Sequence, residues 1–267
     1  MITRDLPGAE LPSQQIDLFP PTAASAVVGG SGGRDAGQLG VFHVHGGGWY
    51  AGARDSYHAW AAHAAGLGLP SASTGYRIEP GSSYRDKMTD VVAGLRVFAA
   101  EFDDLAGVCL VGSSAGAHLV TALALTGVEP WLPADVDPAG LPPVVGVHAA
   151  NGPGSMRPES LLQAQQRLTE MAMTDEEIQL LDRPVVAPPM EWLFLLAERE
   201  TYFPHEHVAG LSDRLTVAGH DCETVVVPDT DHGFVYGVLK RGGEAAEVST
   251  AAVEAFLARV QQRMHAA

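Results

Sequence analysis

Cysteine is scarce: the 267 residues hold only Cys109 and Cys222. A small secreted scaffold needs several paired cysteines, so a disulfide framework is excluded. With Cys109 inside an apolar run, the two thiols point to a reducing compartment, the cytosol by default. Positive charge is scarce as well. Sixteen Lys and Arg stand against 32 Asp and Glu, a formal net charge of −16, and such a chain lacks the basic face that displaces counterions from nucleic acid or anionic headgroups. Neither nucleic acid nor membrane is expected as a partner. No apolar run approaches the roughly 18 residues of a spanning helix. Met1 to Pro12 carries Asp5 and Glu10 instead of the basic, then apolar, stretch of a signal peptide, and reads as mature protein.

What is present fits an enzyme-sized globule. Hydrophobic residues make up 46% of the chain, beside 30 Gly and 18 Pro, a composition of buried core and many loops rather than of a disordered or fibrous chain. No internal repeat occurs and no linker divides the second half. A single domain over residues 1–267 follows.

The hydrophobic periodicity alternates between strand and helix. Gln14 to Phe19 and Leu39 to Val44 read as strands, Arg54 to Leu67 as an alanine-rich helix, and Ser71 to Tyr76 as a weak strand. Tyr84 to Phe102 places Met88, Val91, Val92, Leu95 and Phe98 on one helical stripe. Strands follow at Val108–Val111, Val144–His148, Trp192–Ala197 and Cys222–Val227. Helices are expected from Ser114, over His205 to Gly219, and over Glu244 to His265. This rhythm predicts an α/β fold with a mostly parallel central sheet flanked by helices. Residues 152–189 interrupt it with Pro and Gly near their ends and polar helical pieces at Ser160 to Met173 and Thr174 to Leu181. They read as a small cap insertion over the sheet edge.

Two segments match G-x-S-x-G, the pattern of a serine on a tight strand-to-helix turn whose neighbours must be glycine-sized. Gly29 to Gly33, around Ser31, runs on into Arg34-Asp35-Ala36-Gly37 with no apolar periodicity, and reads as a flexible loop. Gly112-Ser113-Ser114-Ala115-Gly116 lies between an apolar strand and a small-residue helix. Its context makes Ser114 the candidate nucleophile.

Three features then become candidate partners. His45-Gly46-Gly47-Gly48-Trp49 follows the strand ending at Val44, and glycines there let backbone N–H groups face a substrate. The amides of Gly46, Gly47 and Ala115 are the expected oxyanion hole. Asp231-His232-Gly233-Phe234 follows the last strand, where a loop histidine can serve as general base. The acid that orients this base belongs after the strand Trp192–Ala197. Glu200 is the first candidate and Glu198 its competitor, while Asp229 and Asp231 are too near His232 along one short loop. His43, His45, His58 and His63 could suggest a metal, but no carboxylate stands at ligand spacing, so neither metal nor cofactor is expected. Trp49 and Tyr50 are candidates to shape the substrate pocket.

Together these residues resemble α/β-hydrolase esterases of the hormone-sensitive-lipase type and their small feruloyl-esterase-like and kynurenine-formamidase-like relatives. His45 to Trp49 with Gly52 is similar to the HGGGW segment of that group. Tyr76-Arg77-Ile78-Glu79-Pro80 is similar to its YRxxP segment, Gly112 to Leu119 to its GxSAGxxL elbow, and Asp231 to Phe234 to its HGF ending. The resemblance runs from about Val41 to Phe234 in family order. It implies an α/β-hydrolase fold and a serine hydrolase with Ser114, Glu200 and His232 as triad, acting on the carboxylic ester of a small molecule. Two departures stand out: glutamate occupies the position where the family usually has aspartate, and little chain precedes the first strand to form the N-terminal cap helices of larger lipases. An arylformamidase, another amidase or an acyl transferase would use the same triad. A non-catalytic accessory or binding protein could keep the same scaffold. Oligomeric state has no signature in the sequence.

Overall fold

Eight strands are present among the described residues, 1–22, 37–156 and 171–266, of the computed structural model. They are β1 (Ile2–Asp5), β2 (Gln15–Phe19), β3 (Gln38–Val44), β4 (Ser71–Thr74), β5 (Leu105–Ser113), β6 (Val144–Ala150), β7 (Glu191–Arg199) and β8 (Asp221–Asp231). They form one sheet in the order β1-β2-β4-β3-β5-β6-β7-β8. β1 pairs with β2, and β2 with β4, in antiparallel fashion. All other neighbours are parallel.

The helices between strands are α1 (His58–Gly66), α2 (Tyr84–Glu101), α3 (Ala115–Thr126), α4 (Asp175–Ile178) and α5 (His205–Val217), and α6 (Val238–Arg241) and α7 (Glu244–Ala266) follow the last strand. Central strands are buried on both faces, so their side chains alternate between two cores. Phe42, Val44, Val108 and Leu110 pack with Met88, Val91 and Leu95 of α2 and Leu119 and Leu123 of α3. Val41, Cys109 and Val111 pack on the opposite face with Trp60 of α1 and Phe256 and Val260 of α7. α2 starts where Ser83 and Asp86 exchange side-chain and backbone hydrogen bonds in a capping box. Its buried side holds the five-residue stripe read from the sequence.

The mostly parallel sheet flanked by helices is the architecture expected from the sequence. Differences lie at element ends. β1 was not expected, because its residues Ile2-Thr3-Arg4-Asp5 sit on an open edge and three of the four are exposed. The helix expected from Arg54 begins as a 3-10 turn, Arg54–Tyr57. β7 runs on to Arg199, and β8 as far as Asp231. Between β6 and β7, α4 is capped by Thr174 and followed by a 3-10 turn at Leu180–Asp182. Of the helical piece expected over Ser160 to Met173 only 171–173 are described, and not as a helix; its other residues, like the Ser31 loop, fall outside the described residues.

This topology places a crevice. From β3 the chain crosses to β4 on one side, and from β4 to β5 on the other, so strand order reverses between β3 and β5. Open α/β sheets bind ligands outside the carboxyl ends of strands at such a switch point. The glycine loop after β3 and the turn after β5 both emerge there.

Candidate active site

β5 ends at Ser113 and α3 begins at Ala115, leaving Ser114 as the sole residue of the turn at φ 54°, ψ −120°. A non-glycine residue there carries strain of about 1–3 kcal/mol. The Ser114 N–H is tied to the Ala150 carbonyl at the end of β6, 2.9 Å away. The turn closes because its flanking positions lack a Cβ. One at Gly112 would run into the Gly116 backbone, and one at Gly116 into the carbonyls of Val44 and His45.

Ser114 Oγ lies 2.8 Å from His232 Nε2, and His232 Nδ1 lies 2.7 Å and 2.8 Å from the two carboxylate oxygens of Glu200. Three groups from the ends of β5, β7 and β8 thus form one hydrogen-bonded chain. The Glu200 side chain is 1% exposed and that of His232 is 20% exposed. Burial pushes the Glu200 carboxyl up, but hydrogen bonds from His232 and from the amides of Tyr202 and Phe203 outweigh it and hold the group below the usual carboxylate range. Glu198 stands elsewhere. It is exposed and accepts the Asp229 N–H at 3.0 Å, while Asp229 and Asp231 pair with Arg199. Of the carboxylates weighed from sequence, the structure brings Glu200 to the imidazole.

Asn151 fixes the histidine loop. Fully buried with φ 46°, it donates through Nδ2 to the His232 carbonyl at 2.6 Å and accepts the Ala197 N–H at Oδ1 at 2.7 Å. One side chain therefore holds the end of β7 against the base. From sequence, Asn151 is visible only as the absence of an acid at the end of β6.

The glycine loop differs from expectation at its first residue. The Gly46 N–H donates to the Tyr236 hydroxyl at 2.8 Å, so this amide is already engaged. No partner for the Gly47, Gly48 or Ala115 amide is present among the described residues. Gly47 has φ 114°, and a Cβ on it would strike the Ala51 carbonyl. Tyr236 lies four residues after His232 in a 3-10 turn, Phe234–Tyr236, and ties the base loop to the glycine loop. Its position past His232 is the only sequence trace of this role.

The two expected pocket aromatics part company. Tyr50 is 53% exposed, whereas Trp49, at 3%, turns into the core and donates Nε1–H to His118 Nδ1 at 3.2 Å. The Tyr76 segment is scaffold: its ring stacks on His45, its hydroxyl donates to the His45 carbonyl, and Arg77 makes a bidentate pair with Asp90. The four histidines considered for a metal are spread among separate partners. His43 meets the Ala72 carbonyl, His45 that of Gly46, His58 meets Asp17 and His63 meets Glu254. No metal-ready group of three such side chains occurs among the described residues.

The family model described as alpha/beta hydrolase fold matches residues 41–236, most of the chain. The chain belongs to this hydrolase family. Within it, the sequence is 28% identical over 244 residues to the probable carboxylic ester hydrolase LipM of Mycobacterium tuberculosis, covering 85% of this chain and 55% of that one. The chain thus spans about half the length of that curated relative. Among solved structures, the fold is similar to esterase B from Lactobacillus rhamnosis, with a TM-score of 0.75 at 18% identity, covering 99% of this chain and 88% of that one. It is also similar to the thermophilic esterase Est2 of Thermogutta terrifontis, with a TM-score of 0.71 at 18% identity, covering 92% and 87%. At such identity the structures speak for the fold alone. No helix among the described residues is long and apolar enough to cross a membrane.

Proposed function

We propose that this chain is a serine esterase that cleaves a carboxylic ester of a small substrate through an acyl-enzyme on Ser114. The observation that carries the reading is the unbroken chain from Ser114 Oγ through His232 to Glu200, with no link longer than 2.8 Å, built on a strained elbow. Such a strained outlier at a crevice is a signature of function rather than of packing. Membership of the hydrolase family and the name of the mycobacterial relative support the same activity.

In this reading Ser114 Oγ attacks the ester carbonyl carbon while its proton passes to His232 Nε2. The tetrahedral oxyanion is met by amides that the fold leaves open, those of Gly47, Gly48 and Ala115, with Gly46 holding the loop through Tyr236. When the C–O bond breaks, His232 hands its proton to the departing alcohol. Water then enters along the same path, giving a proton to His232 and its oxygen to the acyl carbon. His232 returns that proton to Ser114 Oγ as the acyl C–O bond breaks and the carboxylic acid leaves. Glu200 keeps the imidazole in the tautomer with Nδ1–H and stabilises the transient imidazolium. No metal or organic cofactor takes part. In the same reading, residues 1–267 are a single domain with 152–189 as a small cap insertion, and the two free cysteines go with a reducing, cytosolic setting.

A fluorophosphonate probe should label Ser114 stoichiometrically, as read by peptide mass, and short p-nitrophenyl esters should be turned over. A protein that neither takes the label nor releases p-nitrophenol is not a serine esterase. Glu200→Gln removes the negative charge and sets an N–H donor beside His232 Nδ1, which favours the wrong imidazole tautomer, and should lower kcat by roughly 10⁴-fold. Glu198→Gln, on an exposed side chain remote from His232, should stay within about twofold of wild type. The reverse ranking in steady-state assays would move the acid to Glu198.

A further inference from the structure

Tyr202 is among the few large apolar side chains left open, 55% exposed, and its ring lies against that of His232 with centroids 4.6 Å apart at 50°. It is not a loose surface ring. Glu200 Oε1 accepts the backbone N–H of Tyr202 at 2.7 Å and of Phe203 at 3.3 Å, while the same carboxylate binds His232 Nδ1. Phe203, 7% exposed, roots the turn in the core and packs 5.7 Å from the imidazole. The acid thus places two aromatic rings as well as the base, one ring sealed and one open.

We infer that Tyr202 forms a leaving-group subsite for a neutral aromatic alcohol, so that aryl esters are the favoured substrates; this rests on the serine-esterase reading above. His232 Nε2 must pass its proton to the leaving oxygen, which places the alcohol within hydrogen-bond reach of the imidazole. The exposed ring in contact with that imidazole is Tyr202. Flat rings gain from offset or edge-to-face contact with such a surface beyond their area alone, and alkyl alcohols do not. Charge selects further. Asp229 and Asp231 share the single Arg199 guanidinium on the neighbouring rim, leaving net negative charge that opposes an anionic alcohol.

The test compares phenyl, 2-naphthyl and ethyl acetate, which share one acetyl-enzyme, and measures binding of 2-naphthol by its fluorescence. Tyr202→Ala should lower kcat/KM for the two aryl esters by about 5–10-fold and leave ethyl acetate within about twofold. Deacylation of the shared acetyl-enzyme should be unchanged, because the alcohol has already left. Naphthol affinity should fall in parallel, and Tyr202→Phe should restore both. An equal loss on aryl and ethyl esters together with slower deacylation would make Tyr202 a support for His232 and overturn the subsite. Naphthol binding that is absent from wild type, or indifferent to Tyr202→Ala, would overturn it too. Naphthol binding that depends on Tyr202 in a protein turning over no ester would uphold an aromatic-ring site at Tyr202 and defeat the esterase reading, and with it the leaving-group role.

Discussion

Replacing Ser114 by alanine should lower turnover of short p-nitrophenyl esters by roughly four to six orders of magnitude, with fluorophosphonate labelling abolished. The loss is large because the attacking atom itself is removed, and no second hydroxyl takes its place at 2.8 Å from His232 Nε2. Circular dichroism and Tm should change little, since alanine keeps the same backbone at φ 54°, ψ −120°. Glycine at the same position separates strain from chemistry. It adopts positive φ freely, so Ser114→Gly should be equally inactive yet more stable by about 1 kcal/mol, or roughly 2–4 °C in Tm. Retained activity in either variant would remove Ser114 from the mechanism. An unchanged Tm in the glycine variant would mean that the elbow stores no strain.

Mild acid should unfold the protein. His43, His45, His118 and His148 are at most 3% exposed, and burial lowers their pKa values to about 4, 4, 3 and 3 respectively. In the unfolded chain an ordinary imidazole takes up a proton near pH 6.5. Below that value the unfolded state therefore binds more protons than the folded one, and stability falls as pH falls, until the folded-state pKa values are reached. At pH 5 the difference is about 2 kcal/mol per histidine and about 8 kcal/mol for the four, against a typical total of about 5–15 kcal/mol. Cooperative unfolding is expected around pH 5, with uptake of about four protons, measurable from the pH dependence of Tm and by pH-stat titration. His148 is the site to alter. Its two ring nitrogens have no hydrogen-bond partner among the described residues, and it lines a small cavity with Val41, His43, Trp60, His63 and Phe256. His148→Met should shift the transition to lower pH by a fraction of a unit. A Tm that stays level from pH 7 to pH 5 would contradict the neutral, buried state of these imidazoles.

The fold was legible where burial is two-sided. β3, β5, β6 and β7 are apolar runs because helices cover both faces of the sheet, and such runs can be read without knowing the partners. β1 was not, because an open edge strand needs no apolar pattern. The site was legible through chemistry that constrains the backbone. The elbow needs Gly112 and Gly116, and the hydrogen-bonded chain needs an acid, which narrowed the choice to Glu200 and Glu198. Three-dimensional placement decided the rest. Which amide of the glycine loop stays open depends on the Tyr236 hydroxyl, 190 positions from Gly46. Trp49 turns inward because His118, one helical turn beyond Ser114, offers a ring nitrogen to its N–H. The buried histidines show the same limit: imidazoles count as polar in a sequence, and only the row His43, Val111, His148 across three parallel strands reveals that two of them belong to a core.

Asn151 gives the molecule a chemical clock. It is followed by Gly152, and in a loose chain an asparagine before glycine meets little steric resistance to cyclising onto the next amide and losing ammonia. In the folded protein both ends of its side chain are occupied, by the His232 carbonyl and the Ala197 N–H, which holds the group away from that path. Ageing at this bond is therefore coupled to time spent unfolded. Water then opens the cyclic imide to aspartate or isoaspartate, so a chain that stays open long enough to deamidate lacks the side-chain N–H that the His232 carbonyl accepts, and past excursions are recorded as permanent damage to the loop that carries the base.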